Sequence, residues 1–490
     1  MEENHLVAEK KRKLEELRRL GINPFAYRYD KKESSADIRD NFGRYDGKEA
    51  SVAGRIISMR EMGKVCFMHI QDSAGKIQIY MQKDELQDYQ NLKLIDIGDI
   101  IGARGKVFKT KTGEITVHAE SFELLTKSIR PLPEKWHGLK DPELRYRQRY
   151  LDFVMNPEVK EIFLKRAGIY KAIREFLDSK GFMEVQTPIL QAQYGGANAR
   201  PFITKINAWD MRMYLRIAYE LNLKRLLVGG FEKIYDLSSV FRNEGVDKTH
   251  NPEFAMMEIQ WAYVDYNDMM RLMEELYEYV AKKILGTTAI EYEGKKIDLK
   301  APWPRLTMKE AIKKYADIDV EKKSDEEMRK ILGEHKIELE SKATKGMIIL
   351  KLFEELCESK LIQPVFIIDP PIESCPLAKP HRKDPMLIER FEPFINGWEV
   401  ANGYSELTDP LLQRKELEEQ AARGRGGDEV AHPMDEDYVI ALEHGLPPNA
   451  GLGIGIDRMI ILLTGAESIR DVTLFPIMRN LESGEKKTKK

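Results

Sequence analysis

The stretch FRNEGVDKTHNPEF, residues 241–254, says more about the fold than any other part of the chain. Arg242 is predicted to end a strand, and a polar loop then leads back to a second strand at Phe254. An arginine at a strand end presents a fixed fork of N–H donors to a phosphate. An aromatic ring such as Phe254 can stack on a nucleotide base. Taken alone, the string also fits an ordinary β-hairpin loop held by a salt bridge.

A second stretch, GWEVANGYSEL at residues 397–407, carries two glutamates seven positions apart. In a regular strand this odd spacing sends Glu399 and Glu406 to opposite faces, because side chains alternate. A bend at residues 401–403 would re-phase the strand, and Gly403 makes such a bend plausible. If the two carboxylates converge, they can bind Mg²⁺ and, with it, the phosphates of ATP. Otherwise they are unrelated surface glutamates.

The stretch GLGIGIDRMIILL, residues 451–463, alternates glycine with apolar residues before an apolar helix. Alternating glycines let a ligand lie against a strand, and Arg458 is placed to clamp the γ-phosphate end of ATP. The stretch is neither a P-loop nor a Rossmann fingerprint, which argues against those nucleotide-binding folds. A fourth piece, residues 165–190, joins a long helix to a strand ending in Pro188, and by itself it is explained by core packing.

Residues 51–127 differ in character, because short runs rich in Val, Ile and Phe alternate there with glycine-containing turns. Five short strands in about 80 residues are typical of a Greek-key barrel of the OB type, which often binds oligonucleotides. The segment offers cations, an aromatic platform and an amide, a mixture suited to single-stranded bases: Arg55, Arg60, Lys64, Phe67, His69 and Gln78. Many β-barrels share this pattern, so the segment alone leaves other functions open.

The rest of the chain is organised around these pieces. Residues 1–50 hold a basic helix at 5–20, which is either a solvated helix packed by its leucines or a contact to a nucleic-acid backbone. Residues 128–150 form an Arg-rich connection that is either a plain linker or a phosphate contact. Residues 151–490 alternate helices with adjacent strands, which favours an α+β antiparallel sheet over a doubly wound one. Residues 305–360 are predicted as a helical insertion and residues 482–490 as a disordered tail.

The composition limits the possible functions. A chain of 490 residues, 42% apolar and 32% charged, should fold into more than one domain. Its formal net charge of −3 means that a nucleic-acid partner would have to meet a local basic face. The three cysteines are far apart and suggest neither a zinc site nor a disulfide framework, which fits a reducing cytoplasm. The sequence has no signal core and no apolar run of about 18 residues that would span a membrane.

Together and in this order, the pieces resemble a class II aminoacyl-tRNA synthetase. Residues 165–190 are similar to motif 1, which forms the dimer interface in that family, residues 241–254 to motif 2, and GLGIGIDR to motif 3. The wording resembles the lysyl-tRNA synthetases in particular, over nearly the whole chain. The strings that carry this likeness are RPLPEKWHGLKDPELRYRQRYLD (130–152), GGANARPF (195–202), LLVGGFEKIYDLSSVFRNEGVDKTHNPEF (226–254) and ERFEPFINGWEVANGYSELTDP (389–410).

The resemblance implies a homodimeric, Mg²⁺-dependent ligase that activates L-lysine with ATP and then transfers it to tRNA(Lys). Arg242 would bind the α-phosphate and Arg458 the γ-phosphate, as the catalytic residues. ATP would also meet Glu244, His250, Asn251, Phe254 and Glu399. The metal ligands would be Glu399 and Glu406. The amino acid would lie among Gly195, Gly196, Glu220, Glu258, Gln260, Asn402, Tyr404 and Glu406. The anticodon would meet Arg55, Phe67 and Gln78 of the barrel.

Three positions depart from the family pattern. The family usually has proline where this chain has Tyr219, an aromatic residue at Asn222 and tyrosine at Gln260. All three are expected in or beside the amino-acid pocket, so Tyr219 could crowd it, whereas the ATP motifs are intact. In the barrel, Glu120 lies one position from where an anticodon-reading acid is expected.

These departures leave alternatives to a lysine–tRNA ligase open. One is a synthetase paralogue with altered amino-acid specificity, and another is a non-catalytic paralogue that binds tRNA through the barrel. The intact Arg242, Glu399, Glu406 and Arg458 argue against the second. A protein-modifying relative with the same adenylate chemistry would lack the barrel segment.

Overall fold

The computed structural model describes residues 5–133, 139–337, 339, 343–425 and 433–480, without the side chains of 423–425. The predicted tail at 482–490 lies outside the described residues. The chain divides into two compact units, Met1–Lys140 and Asp141–Lys490. Within the described residues, no helix is long and apolar enough to cross a membrane.

The first unit is a closed barrel with the strand order β1-β2-β3-β5-β4, which confirms the predicted five-stranded OB-type fold. Its strands are β1 Glu49–Met62, β2 Val65–Gln71, β3 Lys76–Gln82, β4 Ile100–Lys109 and β5 Ile115–Thr126. Its helices are α1 His5–Arg19, α2 Ser35–Asp40 and α3 Phe42–Tyr45. The strands alternate buried and partly exposed residues, since one face fills the barrel and the other faces outwards.

Two lysines of the basic helix α1 form contacts inside the first unit. Lys10 is 8% exposed and its Nζ donates to the Ile97 carbonyl at 3.0 Å. Lys13 pairs with Asp96 at 2.7 Å. The buried Lys127 reaches the same carboxylate at 2.6 Å. These two α1 lysines therefore hold the helix to the barrel.

The second unit is α+β, as predicted, and is built on a nine-stranded sheet. The order is β14-β15-β16-β18-β19-β11-β10-β6, with β17 beside β16. The sheet strands are β6 Met183–Glu184, β10 Lys233–Phe241, β11 Glu253–Ala262, β14 Arg305–Thr307, β15 Val365–Ile368, β16 Arg390–Ile395, β17 Trp398–Glu399, β18 Ala401–Ser405 and β19 Asn449–Gly455. Its pairs are antiparallel except β10–β6 and β14–β15, so the predicted antiparallel sheet is confirmed.

Helices and two small sheets surround this sheet. The small sheets consist of β7 Leu190–Gln191, β8 Ile203–Ile206 and β9 Met211–Leu215, and of β12 Ala289–Tyr292 and β13 Lys295–Asp298. The helices are α4 Pro142–Arg147, α5 Arg149–Met155, α6 Val159–Ser179, α7 Glu220–Val228, α8 Tyr266–Leu285, α9 Met308–Ala316, α10 Asp325–Glu334, α11 Lys345–Leu356, α12 Pro410–Arg425, α13 Glu436–Glu443, α14 Ile456–Thr464 and α15 Ile469–Val472.

The largest core lies between the sheet and the helices α6, α8 and α14. Helix α8 shows why the sequence folds this way: a capping box of Asp265 and Asp268 starts it, and Gly286 ends it in the left-handed conformation. Between these ends its apolar residues are buried against the sheet. Helices α9, α10 and α11 form a separate apolar cluster within residues 305–360, where the helical insertion was predicted.

The Arg-rich connection at 128–150 is helical in its last part, where α4 and α5 begin the second unit. Arg149 is fully buried, and its Nη1 donates to the Asp152 carboxylate at 2.9 Å. A phosphate contact is therefore not available to Arg149, because a buried, paired guanidinium is already satisfied.

Candidate active site

A cavity of about 450 Å³ opens on one face of the large sheet. Its walls come from the β10–β11 loop, β16 to β19, the start of α7 and the loop at Gly196. Except for Gly195, every residue predicted for ATP, metal and amino acid lines this cavity. The lining set is Gly196, Glu220, Arg242, Glu244, His250, Asn251, Phe254, Glu258, Gln260, Glu399, Asn402, Tyr404, Glu406 and Arg458.

Arg242 follows β10, as predicted, and lies beside the ring of Phe254 at the start of β11. The two are brought together because β10 and β11 form one hairpin in which Phe241 pairs with Glu253. The guanidinium carbon lies 5.2 Å from the Phe254 ring centroid. Its Nε donates to the Ile217 carbonyl at 3.3 Å, and burial lowers the pKa of Arg242, against the opposing charges of Glu244 and Glu258. This end of the cavity holds a buried cation with an aromatic face beside it.

Arg458 and the β10–β11 loop close the same end of the cavity. An Nη1 of Arg458 donates to the Glu399 carbonyl oxygen, and Nη2 lies 3.4 Å from the His250 Nε2. Asp247 accepts from the His250 backbone N–H at 2.8 Å and fixes the turn. Asn251 is buried, and its Oδ1 has no hydrogen-bond partner among the described residues. A buried acceptor without a partner is a place where a ligand can donate a hydrogen bond.

The other end of the cavity is acidic. Glu220, Glu258 and Glu406 are 7%, 6% and 0% exposed. Burial and the charge of Glu220 raise the pKa of Glu258 well above its ordinary value, and Glu258 accepts from the Tyr219 backbone N–H at 3.1 Å. Tyr404 also has a pKa raised well above its ordinary value, by burial and then by Glu220. Buried carboxylates at this density favour a cationic ligand.

The glycines of the site leave space for close contacts. A Cβ at Gly451 would lie 2.2 Å from Oε1 of Glu406 and 2.4 Å from Nε2 of Gln260. The alternating glycines of β19 therefore make room for side chains of the neighbouring strands as well as for a ligand. Gly196 has a φ of +86°, which an L side chain rarely adopts, and lines the main cavity. Gly195 lines a second cavity of about 400 Å³ instead.

The predicted re-phasing of the strand exists, but it lies at Val400, one residue before the predicted bend. Glu399 pairs with Phe394, and Tyr404 pairs with Arg390. The five residue steps from Glu399 to Tyr404 therefore lie opposite only four residue steps on β16. The extra residue is a bulge that turns Glu399 and Tyr404 to the same face.

Glu399 and Glu406, the predicted metal pair, lie far apart along the chain. Seven residues of extended chain span about 20 Å, too far for both carboxylates to hold one ion. Glu406 instead forms an ion pair with Lys224 and accepts from Gln260 Nε2 at 2.8 Å. The residue diagonal to Glu399 on the ladder is Glu392, and the charge of Glu399 adds to the effect of burial in raising the pKa of Glu392. Glu392 was not among the predicted site residues, and it forms an ion pair with Arg390.

Two of the three departures from the family pattern lie outside this cavity. The Tyr219 ring is fully buried, its hydroxyl donates to the Ser238 carbonyl at 2.6 Å, and Arg216 lies over it at 4.3 Å. Tyr219 and Asn222 line the second cavity, so the expected crowding by Tyr219 is absent. Gln260 lines the main cavity and accepts from Asn449 Nδ2 at 2.9 Å, which fixes its amide orientation.

The outer face of the barrel in the first unit carries the residues predicted for the anticodon. Phe67 pairs with Arg60 on β1 and with Tyr80 on β3, and its ring lies 5.1 Å from that of Tyr80. Gln78 donates from Nε2 to Glu114 at 2.8 Å and accepts from Thr116.

Two further features of the barrel face concern Arg55 and Glu120. Arg55 lies four residues along the ladder from Phe67, and its Nη1 donates to the Gly98 carbonyl at 2.7 Å. Arg60 is directly opposite Phe67. The acid beside Gln78 is Glu114, whereas Glu120 is exposed and pairs with Lys106 at 3.8 Å.

The sequence matches two described families. The family "tRNA synthetases class II (D, K and N)" matches residues 141–479, and the family "OB-fold nucleic acid binding domain" matches residues 50–125. The first match covers more than half of the chain and contains the whole cavity.

The chain is also similar to curated proteins named lysine–tRNA ligase. It is 54% identical over 484 residues to the one from Pelotomaculum thermopropionicum, covering 98% of this chain and 96% of the relative. It is 53% identical over 480 residues to that of Thermoanaerobacter pseudethanolicus, covering 97% and 96%. It is 54% identical over 477 residues to that of Clostridium perfringens, covering 96% and 95%.

Proposed function

We infer the roles of the site residues from the family of the chain, which belongs to the class II tRNA synthetases of the D, K and N group and, within it, to the lysine–tRNA ligases. It is an enzyme that joins lysine to tRNA with ATP. The observation that carries the lysine specificity is the charge along one cavity. Arg242 and Arg458 lie by the β10–β11 loop, and the buried carboxylates of Glu220, Glu258 and Glu406 line the same cavity.

This polarity fits the two ends of the reaction. The ammonium of a lysine side chain is a strongly hydrated point charge, so its burial requires carboxylates. The triphosphate requires cations and N–H donors. We assign Phe254 to the adenine ring, Arg242 to the α-phosphate and Arg458 to the γ-phosphate. Glu244, His250 and Asn251 complete the ATP side.

The chemistry needs no protein nucleophile. The carboxylate oxygen of lysine attacks the α-phosphorus in line, an O–P bond forms, and the bond to the bridging oxygen of pyrophosphate breaks. Negative charge grows on the α-phosphate oxygens, where a buried guanidinium stabilises it without reorganisation. Transfer of the aminoacyl group to the 3′-terminal ribose of tRNA releases AMP. Gly196 leaves room for the α-amino end of the substrate, and Gly195 supports the same loop.

Two neighbouring carboxylates, Glu392 and Glu399, support a proposed magnesium site, although Glu392 is also paired with Arg390. Glu392 and Glu399 are diagonal neighbours on one face of the sheet. The pKa of nearby Glu358 is raised to about 8, mainly by burial and then by the charge of Glu392. In the described part of the chain, no group of three or more His, Cys, Asp or Glu side chains is arranged as a metal site. We therefore propose that Glu392 and Glu399 hold Mg²⁺ jointly with ATP phosphates, which it would help to neutralise.

Amino-acid-dependent ATP–pyrophosphate exchange tests the specificity. All twenty standard amino acids and several lysine analogues are compared at one ATP concentration. Exchange with lysine alone is the expected result. Exchange with a different amino acid would leave the assigned fold and chemistry in place but would reject the lysine pocket. Gln260→Tyr would then be the first variant to test.

We propose that the outer barrel face binds the anticodon of tRNA(Lys). Its centre is Phe67, with Tyr80 beside it, Arg60 opposite it, and Gln78 held by Glu114. Aromatic rings on a strand face stack bases, and amides and carboxylates read their edges. Arg55 lies further along the same face and would contact the backbone.

Phe67→Ala should weaken tRNA recognition selectively. Loss of one stacked base costs about 1–3 kcal/mol, so KM for tRNA in aminoacylation should rise about 10- to 100-fold. Lysine-dependent pyrophosphate exchange without tRNA should be unchanged. Tyr27→Ala removes a fully exposed aromatic side chain from the same unit and should leave both assays unchanged. Equal tRNA KM values for the two variants would reject this face.

We also propose a homodimer. Large apolar side chains are exposed from α6 to just before β9, a stretch that includes residues 165–190, which resemble motif 1: Leu164, Met183, Ile189, Leu190, Ile203 and Trp209. Exposed apolar patches of this kind mark protein interfaces. The free cysteines are compatible with a cytoplasmic location, which stays a prediction.

Trp209→Lys should shift the dimer towards monomer. Trp209 is 73% exposed, and truncating an aromatic anchor in an interface commonly costs 2 kcal/mol or more, so the dissociation constant should rise at least about 30-fold. Sedimentation velocity over a range of concentrations measures it. Leu411→Lys, at a position 74% exposed on α12, is the matched control. A wild-type chain that sediments as a monomer at all concentrations would refute the dimer.

A further inference from the structure

Lys224 is a fully buried lysine behind the acidic end of the cavity. It lies one turn along α7 from Glu220, and its Nζ is 2.5 Å from Oε1 of that residue. The same Nζ forms an ion pair with Oε2 of Glu406. Both glutamates line the cavity, whereas Lys224 does not. Its ammonium therefore joins the two pocket carboxylates from the side away from the ligand.

The contacts of Glu406 are divided between two neighbours. Oε2 faces Lys224, and Oε1 accepts from Gln260 Nε2 at 2.8 Å. Gln260 is in turn held by Asn449 Nδ2 at 2.9 Å. The orientation of this carboxylate is thus set before any ligand arrives, which is how a binding site lowers the cost of ordering its own groups.

Charge explains why an ammonium is needed here. Two buried carboxylates that share one site repel each other, and without a cation one of them takes up a proton. Burial alone would lower the pKa of Lys224, but the charges of Glu220 and Glu406 outweigh it and raise the pKa well above its ordinary value. Lys224 therefore remains a cation. Burial raises the pKa of Glu406 to about 8 against the opposing charge of Lys224, so removing the ammonium would raise it further.

Stability alone gives a poor reason for such a cluster. Replacing buried ion pairs by apolar residues of similar volume is often neutral or stabilising, so a buried lysine in a pocket wall suggests another role. The rings of Tyr404 and Tyr438 lie 5.6 Å and 5.9 Å from Nζ and could pack against an uncharged chain equally well.

We propose that Lys224 is a positioning residue that holds Glu220 and Glu406 in place, so that their carboxylates face the side-chain ammonium of the substrate. This inference rests on the proposed lysine pocket.

Other titratable groups also face Lys224. Burial raises the pKa values of Tyr404 on β18, Tyr438 on α13 and Cys375 before β16, so they stay protonated near neutral pH. Burial and then the charge of Glu220 raise the pKa of Glu258 on β11, so Glu258 responds to Glu220. The test therefore compares the lysine KM with kcat and with the KM for ATP at one pH.

The experiment compares wild type with Lys224→Met, which keeps the length of the side chain and removes its charge. Lysine-dependent pyrophosphate exchange is measured with the full chain at neutral pH. We expect the lysine KM of the variant to be about 30-fold above wild type, because the two carboxylates lose the contact that orders them before the substrate binds. The kcat and the KM for ATP should stay within about twofold.

Controls separate this from a general defect. Lys233→Met removes a lysine that packs on Trp261, away from the pocket, and should match wild type. A lysine KM for Lys224→Met that is unchanged, or that rises together with an equal change in kcat or in the KM for ATP, overturns the proposal. Wild type without lysine-dependent exchange would reject the proposed pocket itself and the inference with it.

A second pair of variants covers the case in which Lys224→Met does not fold. The double variant Lys224→Met with Glu406→Gln removes both charges of the pair, and Glu406→Gln alone is its reference. If Lys224 acts through Glu406, the lysine KM values of these two agree within about threefold, as expected for residues that act as a unit. A further tenfold rise in the double variant would overturn the proposal.

Discussion

Arg242→Ala is expected to lower kcat/KM of lysine-dependent pyrophosphate exchange about 10³-fold, because one preorganised charged donor to a developing oxyanion is commonly worth that much. The guanidinium is held by the Ile217 carbonyl and the Phe254 ring. Among the described residues its two Nη groups have no hydrogen-bond partner, so both are available to a phosphate. The loss should appear mainly in kcat, since the charge on the α-phosphate grows in the transition state.

Two further variants define what is lost. Arg242→Lys keeps the charge but not the fork, and should recover about tenfold of the rate at most, since one ammonium cannot bind bidentately. Arg271→Ala removes an exposed arginine paired with Asp268 on α8 and should leave exchange unchanged. Binding of tRNA by Arg242→Ala should equal that of wild type, which confirms that the chain is folded. Exchange within tenfold of wild type would contradict the role of Arg242.

The fold was predictable because its signals are local. The barrel strands alternate with period two, and the hairpin at 241–254 carries its arginine and its aromatic ring at the strand ends. These features depend on neighbours in the sequence, and the structure places them as expected. The arrangement of Arg242 beside Phe254 follows directly from hairpin pairing.

The proposed metal ligands could not be predicted in the same way, because their arrangement depends on one bulge. From spacing alone, a bend at residues 401–403 was expected to bring Glu406 beside Glu399. The structure puts the extra residue at Val400, and Glu392 becomes the diagonal neighbour of Glu399. A single added residue reverses the face of everything beyond it, and the sequence does not mark it with glycine.

The departures at Tyr219 and Gln260 illustrate a second limit. A sequence shows which residue differs, but not where its side chain points. Tyr219 turns into the core and donates to the Ser238 carbonyl, whereas Gln260 faces the pocket. Lys224 is the converse case, since a lysine in an amphipathic helix is usually solvated and only tertiary packing buries this one between two carboxylates.

Glu399→Gln and Glu392→Gln should both raise the Mg²⁺ concentration needed for half-maximal exchange, by about tenfold or more, because each removes one of two carboxylate ligands. Excess Mg²⁺ should restore part of the activity, and the lysine KM should stay within about threefold. Glu406→Gln should do the opposite. It should raise the lysine KM about 100-fold or more, since loss of one partner of a buried charge pair costs about 3–5 kcal/mol, while the Mg²⁺ requirement stays unchanged.

This contrast decides between the two assignments of Glu406. Glu406 forms an ion pair with Lys224 and accepts a hydrogen bond from Gln260, far along the strand from Glu399. Glu355→Gln, at an exposed carboxylate paired with Lys351, is the control and should alter neither parameter. If Glu406→Gln shifts the Mg²⁺ requirement as strongly as Glu399→Gln, the original pairing of Glu399 with Glu406 is right and Glu392 is not a ligand. If only Glu392→Gln and Glu399→Gln shift it, the bulge at Val400 is what separates the metal end of the cavity from its lysine end.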